Sequence, residues 1–190
     1  MKKIMMLMTV AVAGMAVADC DVDALKAALA KVGDAETQFR IGNCYAQDKG
    51  LKRSLGEAVA WYRKAAEQGH AEAQNAIGRC CFFGTGMEKD DKEAARWFRK
   101  AADQGLAKGM HNLGTCYLEG AGVPTDKAEA VIWYRKAAEL GLAEAQNNLG
   151  TLYFKGEGVA KDRSEALKWY RKAAAQGCAA AKDMLRELEK

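Results

Sequence analysis

The sequence predicts an all-α chain built as a solenoid: four 36-residue helix-turn-helix repeats with a half-unit at each end. Three observations carry this. The four tryptophans, Trp61, Trp97, Trp133 and Trp169, each fall 36 residues from the next. Fifteen of the 19 glycines occupy four columns of the same period. One proline in 190 residues suits helices and disfavours a turn-rich sandwich. A fixed period of this length marks stacked supersecondary units, none of which can bury its apolar sides alone.

Residues 1–18 read as an export signal. Lys2 and Lys3 form a positive start, Ile4 to Val12 is apolar apart from Thr9, and Ala16-Val17-Ala18 is a small-apolar-small cleavage pattern. The apolar run is shorter than the roughly 20 residues a spanning helix needs. We therefore expect cleavage after Ala18, a periplasmic or secreted chain, and no membrane span. Asp19 before Cys20 departs from the pattern of a lipoprotein.

Residues 19–34 follow as an N-terminal half-unit helix, because LKAALAKVGD from Leu25 fits the second half of a repeat. The repeats run 35–70, 71–106, 107–142 and 143–178. Residues 179–190 fit the first half of a fifth and end in charges, as a capping helix should.

Within a repeat, the words AEAQNNLGTLY and LKWYRKAAAQG read as helices A and B. In repeat four, Ala145, Leu149, Leu152 and Tyr153 form the apolar side of helix A. Gly150 sits inside that helix, where glycine costs about 1 kcal/mol relative to alanine. Close approach of a neighbouring helix is the expected reason. A GxG segment such as Gly156-Glu157-Gly158 ends helix A through left-handed backbone. Ser54 with Glu57, Asp90 with Glu93, Asp126 with Glu129 and Asp162 with Glu165 predict a capping box at each helix B, with Pro124 just outside one of them.

This pattern, AEAQNNLGTLYFKGEGVAKDRSEALKWYRKAAAQG in residues 143–177, resembles the Sel-1-like repeat, a relative of the tetratricopeptide repeat. The resemblance covers residues 35–178 and implies a right-handed α/α superhelix that binds proteins or peptides. It also implies that the A helices line the concave groove. The groove candidates are then Arg40, Asn43, Asn75, Arg79, His111, Asn112, Asn147 and Asn148, with Phe39, Phe82, Phe83, Thr115, Thr151 and Phe154 near them. Asn can both donate to and accept from a peptide backbone, and Arg can clamp a carboxylate. Bacterial members of the family are often exported adaptors. Some cysteine-rich relatives have been described as penicillin-binding or β-lactamase-like, which gives an alternative reading.

The residues themselves offer little chemistry. Beyond the signal, the serines are Ser54 and Ser164, and neither begins an SxxK word. His70 and His111 are not at HExxH spacing, and no zinc set is apparent. His70 reads as the end of a helix B, where a cation is favourable. We expect no catalytic residues, no metal and no cofactor. Net charge is +4, and 27 basic against 25 acidic residues remain once Lys2 and Lys3 are set aside, so no basic field points to nucleic acid. The RK words, from Arg63-Lys64 to Arg171-Lys172, form an outer basic row that could meet an anionic envelope polymer or simply keep the surface solvated.

Six cysteines in an exported chain invite disulfides. Cys44, Cys80 and Cys116 share the repeat position of Leu152, which argues for buried thiols. The vicinal pair Cys80-Cys81 leaves a thiol-redox reading open. Cys20–Cys44 is the pair we single out, with Cys178 left over.

Overall fold

The computed structural model describes residue 27, residues 33–47 and residues 53–188. The expected signal peptide and Cys20 lie outside the described residues, as does most of segment 19–34. The described chain is helical: α1 (Ala35–Gln47), α2 (Leu55–Glu67), α3 (Ala71–Phe83), α4 (Asp91–Asp103), α5 (Ala107–Glu119), α6 (Lys127–Glu139), α7 (Ala143–Lys155), α8 (Arg163–Ala175) and α9 (Ala179–Leu188). No strand occurs among the described residues. Odd-numbered helices up to α7 are the A helices and even-numbered ones the B helices. Each A helix packs on its own B helix, each B helix packs on the next A helix, and α9 closes the row against α8. The fold is an all-α solenoid.

The core sits between the two rows. Phe98, Tyr134 and Tyr170 on the B helices are its largest fully buried side chains, and Ile41, Ile77, Leu113 and Leu149 meet them from the A helices. The glycine inside each A helix is explained by these rings. A Cβ at Gly78 would stand 2.7 Å from the Phe98 ring, and one at Gly114 or Gly150 would stand 3.0 Å from Tyr134 or Tyr170. The ring lies flat against bare backbone, and a larger residue would push the two helices of a unit apart. The second glycine of the GxG segment works between units. Gly122 has φ +74°, and its Cβ would collide with the backbone carbonyl of Asp91 at the start of the preceding helix B.

Half of the predicted capping box forms. The side chains of Ser54, Asp90, Asp126 and Asp162 accept from the amides of Glu57, Glu93, Glu129 and Glu165. The glutamates do not reach back, because the cap amides already donate to helix A: Asp90 to the Cys81 carbonyl, Asp126 to Tyr117 and Asp162 to Tyr153. Glu93 and Glu129 instead accept from the indole N–H of Trp97 (3.1 Å) and Trp133 (2.8 Å) one turn on. A second correction concerns His70. Rather than ending helix B, it caps the start of α3, where Nδ1 accepts from the Ala73 amide at 3.2 Å and Nε2 meets Glu36 at 2.9 Å.

A ladder of glutamines was not anticipated. Gln38, Gln74 and Gln146 are buried polar residues. Each accepts from the glutamine closing its own unit's helix B: Gln68 at 2.8 Å, Gln104 at 2.7 Å and Gln176 at 2.9 Å. Gln74 and Gln146 donate in turn to the carbonyls of Ala66 and Ala138 in the preceding unit. A buried amide is tolerable only when its groups are satisfied, and the ladder does this by tying units together. In unit three the two positions are Met110 and Leu140, an apolar pair in place of a polar one.

Candidate binding face

The inner side is built by the A helices. α3 and α5 touch one another directly, in addition to their contacts with the B helices. Residues of these helices that point away from the B row form a polar strip, and the strip is wired to itself. Asn112 Nδ2 donates to Asn75 Oδ1 at 2.7 Å. His111 Nδ1 lies 3.3 Å from Asn112 Oδ1, and its Nε2 is 3.0 Å from Asn148 Nδ2. Burial holds the His111 imidazole below its ordinary pKa, so near neutral pH it is the uncharged ring. The strip thus runs Asn75–Asn112–His111–Asn148 over three units.

A second strip joins the inner side to the core. Position nine of each A helix meets the ring of its own helix B. Tyr62 donates to Asn43 Oδ1 at 2.8 Å. Thr115 and Tyr134 share a hydrogen bond at 2.9 Å, and Thr151 and Tyr170 one at 3.0 Å. Unit two breaks the series. Phe98 has no hydroxyl, and Arg79 stands where the others have Asn or Thr.

The sequence-predicted groove residues therefore divide. Asn43, Asn75, His111, Asn112 and Asn148 are brought together, but mainly with one another and with core hydroxyls. Asn147 Oδ1 is buried with no partner among the described residues. Arg40 is half-buried near the Asp34 carboxylate, which is held below its usual range first by the Thr37 amide and hydroxyl that donate to it and lastly by the Arg40 charge. Arg79 is exposed and forms no ion pair or hydrogen bond with any described residue. Three openings share it as a wall: one of about 220 Å³ that includes Tyr62, Cys80 and Phe83, and two more. One, of about 260 Å³, is polar and includes Asn75, Lys108, His111, Asn112 and Glu144. The other, of about 160 Å³, is faced by Phe82, Phe83 and Phe98.

The outer basic row is largely engaged. Lys64, Lys100, Lys136 and Lys172 each lie 4.1–4.3 Å from the centre of their own unit's tryptophan ring. Arg99 and Arg135 donate to the hydroxyls of Tyr117 and Tyr153 in the next unit. At that tyrosine position unit two has Cys81, and Arg63 turns instead to Glu93 at 2.7 Å. This bond holds the Glu93 carboxyl below its usual range.

Cys80, Cys81 and Cys116 are poor nucleophiles. Cys80, Cys81, Cys116 and Cys178 are free, and Cys44 is disulfide-bonded. Burial pushes Cys81 and Cys116 up to about 12 and raises Cys80. A redox cysteine needs the opposite shift. Cys80 departs from the buried-thiol expectation for its repeat position. It is only half-buried, while its neighbour Cys81 fills the core. Ser54 and Ser164 act at helix starts, Ser164 Oγ donating to Asp162 at 2.7 Å. Among the described residues no group of three His, Cys, Asp or Glu side chains is placed to hold a metal ion. No described helix is long and apolar enough to cross a membrane.

A family profile described as Sel1 repeat matches residues 35–70, 71–106, 107–142 and 143–178. Among solved structures, the chain is similar to a protective antigen of uropathogenic Escherichia coli strains that displays an SLR fold. That match has 40% identity and a TM-score of 0.82, covering 88% of this chain and 36% of the other. A Sel1 repeat protein from Oxalobacter formigenes is 39% identical with a TM-score of 0.80, covering 85% of this chain and 64% of the other. Helicobacter pylori cysteine rich protein B is 25% identical with a TM-score of 0.56, covering 71% and 97%. The chain thus spans about a third of the first relative and less than two thirds of the second. No curated protein sequence matches it significantly. Sel1 repeat proteins are generally protein-interaction scaffolds, typically without catalytic activity. With its repeats matched from residue 35 to residue 178, the chain belongs to the Sel1 repeat family.

Proposed function

We propose that this protein is an exported scaffold that binds a protein or peptide along the inner face of α1, α3, α5 and α7. The observation that carries the reading is the division of labour within each unit. Residues common to the units bury rings, cap helices and link neighbours, whereas the open cavities lie along the A helices at positions that differ from unit to unit. Export is supported by the signal pattern of residues 1–18 and by the disulfide at Cys44, since such bonds persist in oxidising compartments. We propose Cys20 as its partner.

Two measurements test this. A photo-cross-linking side chain placed at Lys108, on the inner face, should form adducts in envelope extract, and the same group at Arg96 on helix B should not. Equal labelling, or labelling from Arg96 alone, refutes the inner face as the binding side. Protein recovered from the periplasm should begin at Asp19. Thiol titration should count four thiols after unfolding and six after reduction, with Cys81 and Cys116 silent in the native state.

A further inference from the structure

Unit two departs from the other repeats at adjacent places, and all of them face one region. Where units one, three and four have Gln47, Glu119 and Lys155, it has Phe83, which is 66% exposed. Where they have Asn43, Thr115 and Thr151 bonded to a ring hydroxyl, it has Arg79 opposite Phe98. Arg79 and Phe83 are one helical turn apart and so share a face of α3. Phe83 meets Phe82 edge-on at 5.0 Å between ring centres, and the rest of its surface is open beside an unpaired guanidinium.

We infer that unit two captures the C-terminal residue of a partner peptide, its carboxylate on Arg79 and its apolar side chain against Phe82 and Phe83. This rests on the inner face being the binding side and names what it binds. Three features select a chain end. The polar opening carries Arg79 and Lys108 against one carboxylate, Glu144, and neither cation has an ion pair among the described residues. Planar guanidinium suits bidentate contact with a carboxylate. Of the amide groups that could hold a through-running backbone, Asn75 Oδ1, Asn112 Nδ2 and Asn148 Nδ2 are already bonded within the strip. Finally, the apolar and polar openings share Arg79, His111 and Asn112 as a common wall, so a ligand that fills both carries its charged and its apolar group close together. The last residue of a peptide bears its carboxylate and side chain on the same Cα. Inside an extended chain, successive side chains point to opposite faces.

The test is a random peptide library displayed with free C-termini, panned against the full chain, with enriched sequences then synthesised as free acids and as amides. Enriched peptides should end in an aromatic or large aliphatic residue, and amidation should weaken binding by about tenfold or more. The double variant Arg79→Thr with Phe98→Tyr restores the pairing of the other units, so it should melt no lower than the native chain. It should lose the same affinity for free acids and no longer distinguish acid from amide. Phe83→Gln should weaken the peptides without removing that distinction. Amides binding as tightly as acids, or undiminished binding by the double variant, overturns the inference. If such peptides are still blocked by Asn148→Arg, the inner face survives as a binding side and only the end-capture fails. If no peptide is enriched, both readings fall.

Discussion

Units two and three share a backbone plan but spend their variable positions differently. In unit three, Thr115 bonds Tyr134, and Tyr117 accepts Arg99 from the unit before. In unit two, Phe98 and Cys81 have no oxygen to offer, and both former partners find other work. Arg63 turns to Glu93, and Arg79 is left open on the inner side. Unit three makes its own exchange, with Met110 and Leu140 in place of a glutamine pair. The lesson is that a polar position in a repeat is held by its partner across the unit. Where both change together the core stays satisfied, and where the replacement is charged it becomes available to a ligand.

The largest expected effect would show how far the two units are alike. Tyr134→Ala and Phe98→Ala each empty a fully buried ring site and should cost about 3–5 kcal/mol in denaturant unfolding. A tolerated Phe98→Ala would mean that unit two is not packed as the others are. The next effect concerns the glycines. Gly78→Ala places a methyl 2.7 Å from Phe98, whereas Gly150→Ala places one 3.0 Å from Tyr170. Overpacking at Gly78 should outweigh the helix-propensity gain by about 1–2 kcal/mol, and Gly150→Ala should be nearer neutral. Equal melting temperatures would show that ring distance does not set this cost.

The double variant Arg79→Thr with Phe98→Tyr should gain about 1 kcal/mol from one new buried hydrogen bond. A loss would sever the analogy with Thr115 and Tyr134. The smallest effect is on pH. The unfolded His111 takes up its proton near the ordinary imidazole value, and the folded one only at lower pH. Between the two values the unfolded state binds more protons, so stability falls as pH falls. Thermal melts from pH 7.5 to pH 5 should show a smaller drop in His111→Asn than in the native chain. Identical slopes would place the pH dependence elsewhere than His111; the Glu93–Arg63 pair is lost only in more acid solution, because the Glu93 carboxyl is held below its usual range.

The sequence by itself determined the repeat, its phase and the helical identity of every described element, because packing residues recur every 36 positions and each unit must repeat the same local solution. The caps at Ser54, Asp90, Asp126 and Asp162 were legible for the same reason. The reach of the four glutamates was not, since whether Glu93 turns back to its cap or forward to Trp97 depends on what the cap amide has already found in helix A. Nor was the role of His70, which borders two helices and takes its partner from Glu36 in the unit before. The inner face was legible as a set of positions but not as a site. WYRK against WFRK and Thr against Arg are visible in the aligned repeats as separate changes; that Phe98 and Arg79 are one change follows only when the ring and position nine of helix A are set side by side. Tertiary structure decided which polar groups are satisfied by one another and which are left over. That is a matter of distances across the fold, while the spacing of apolar residues along the chain is enough to fix the fold itself.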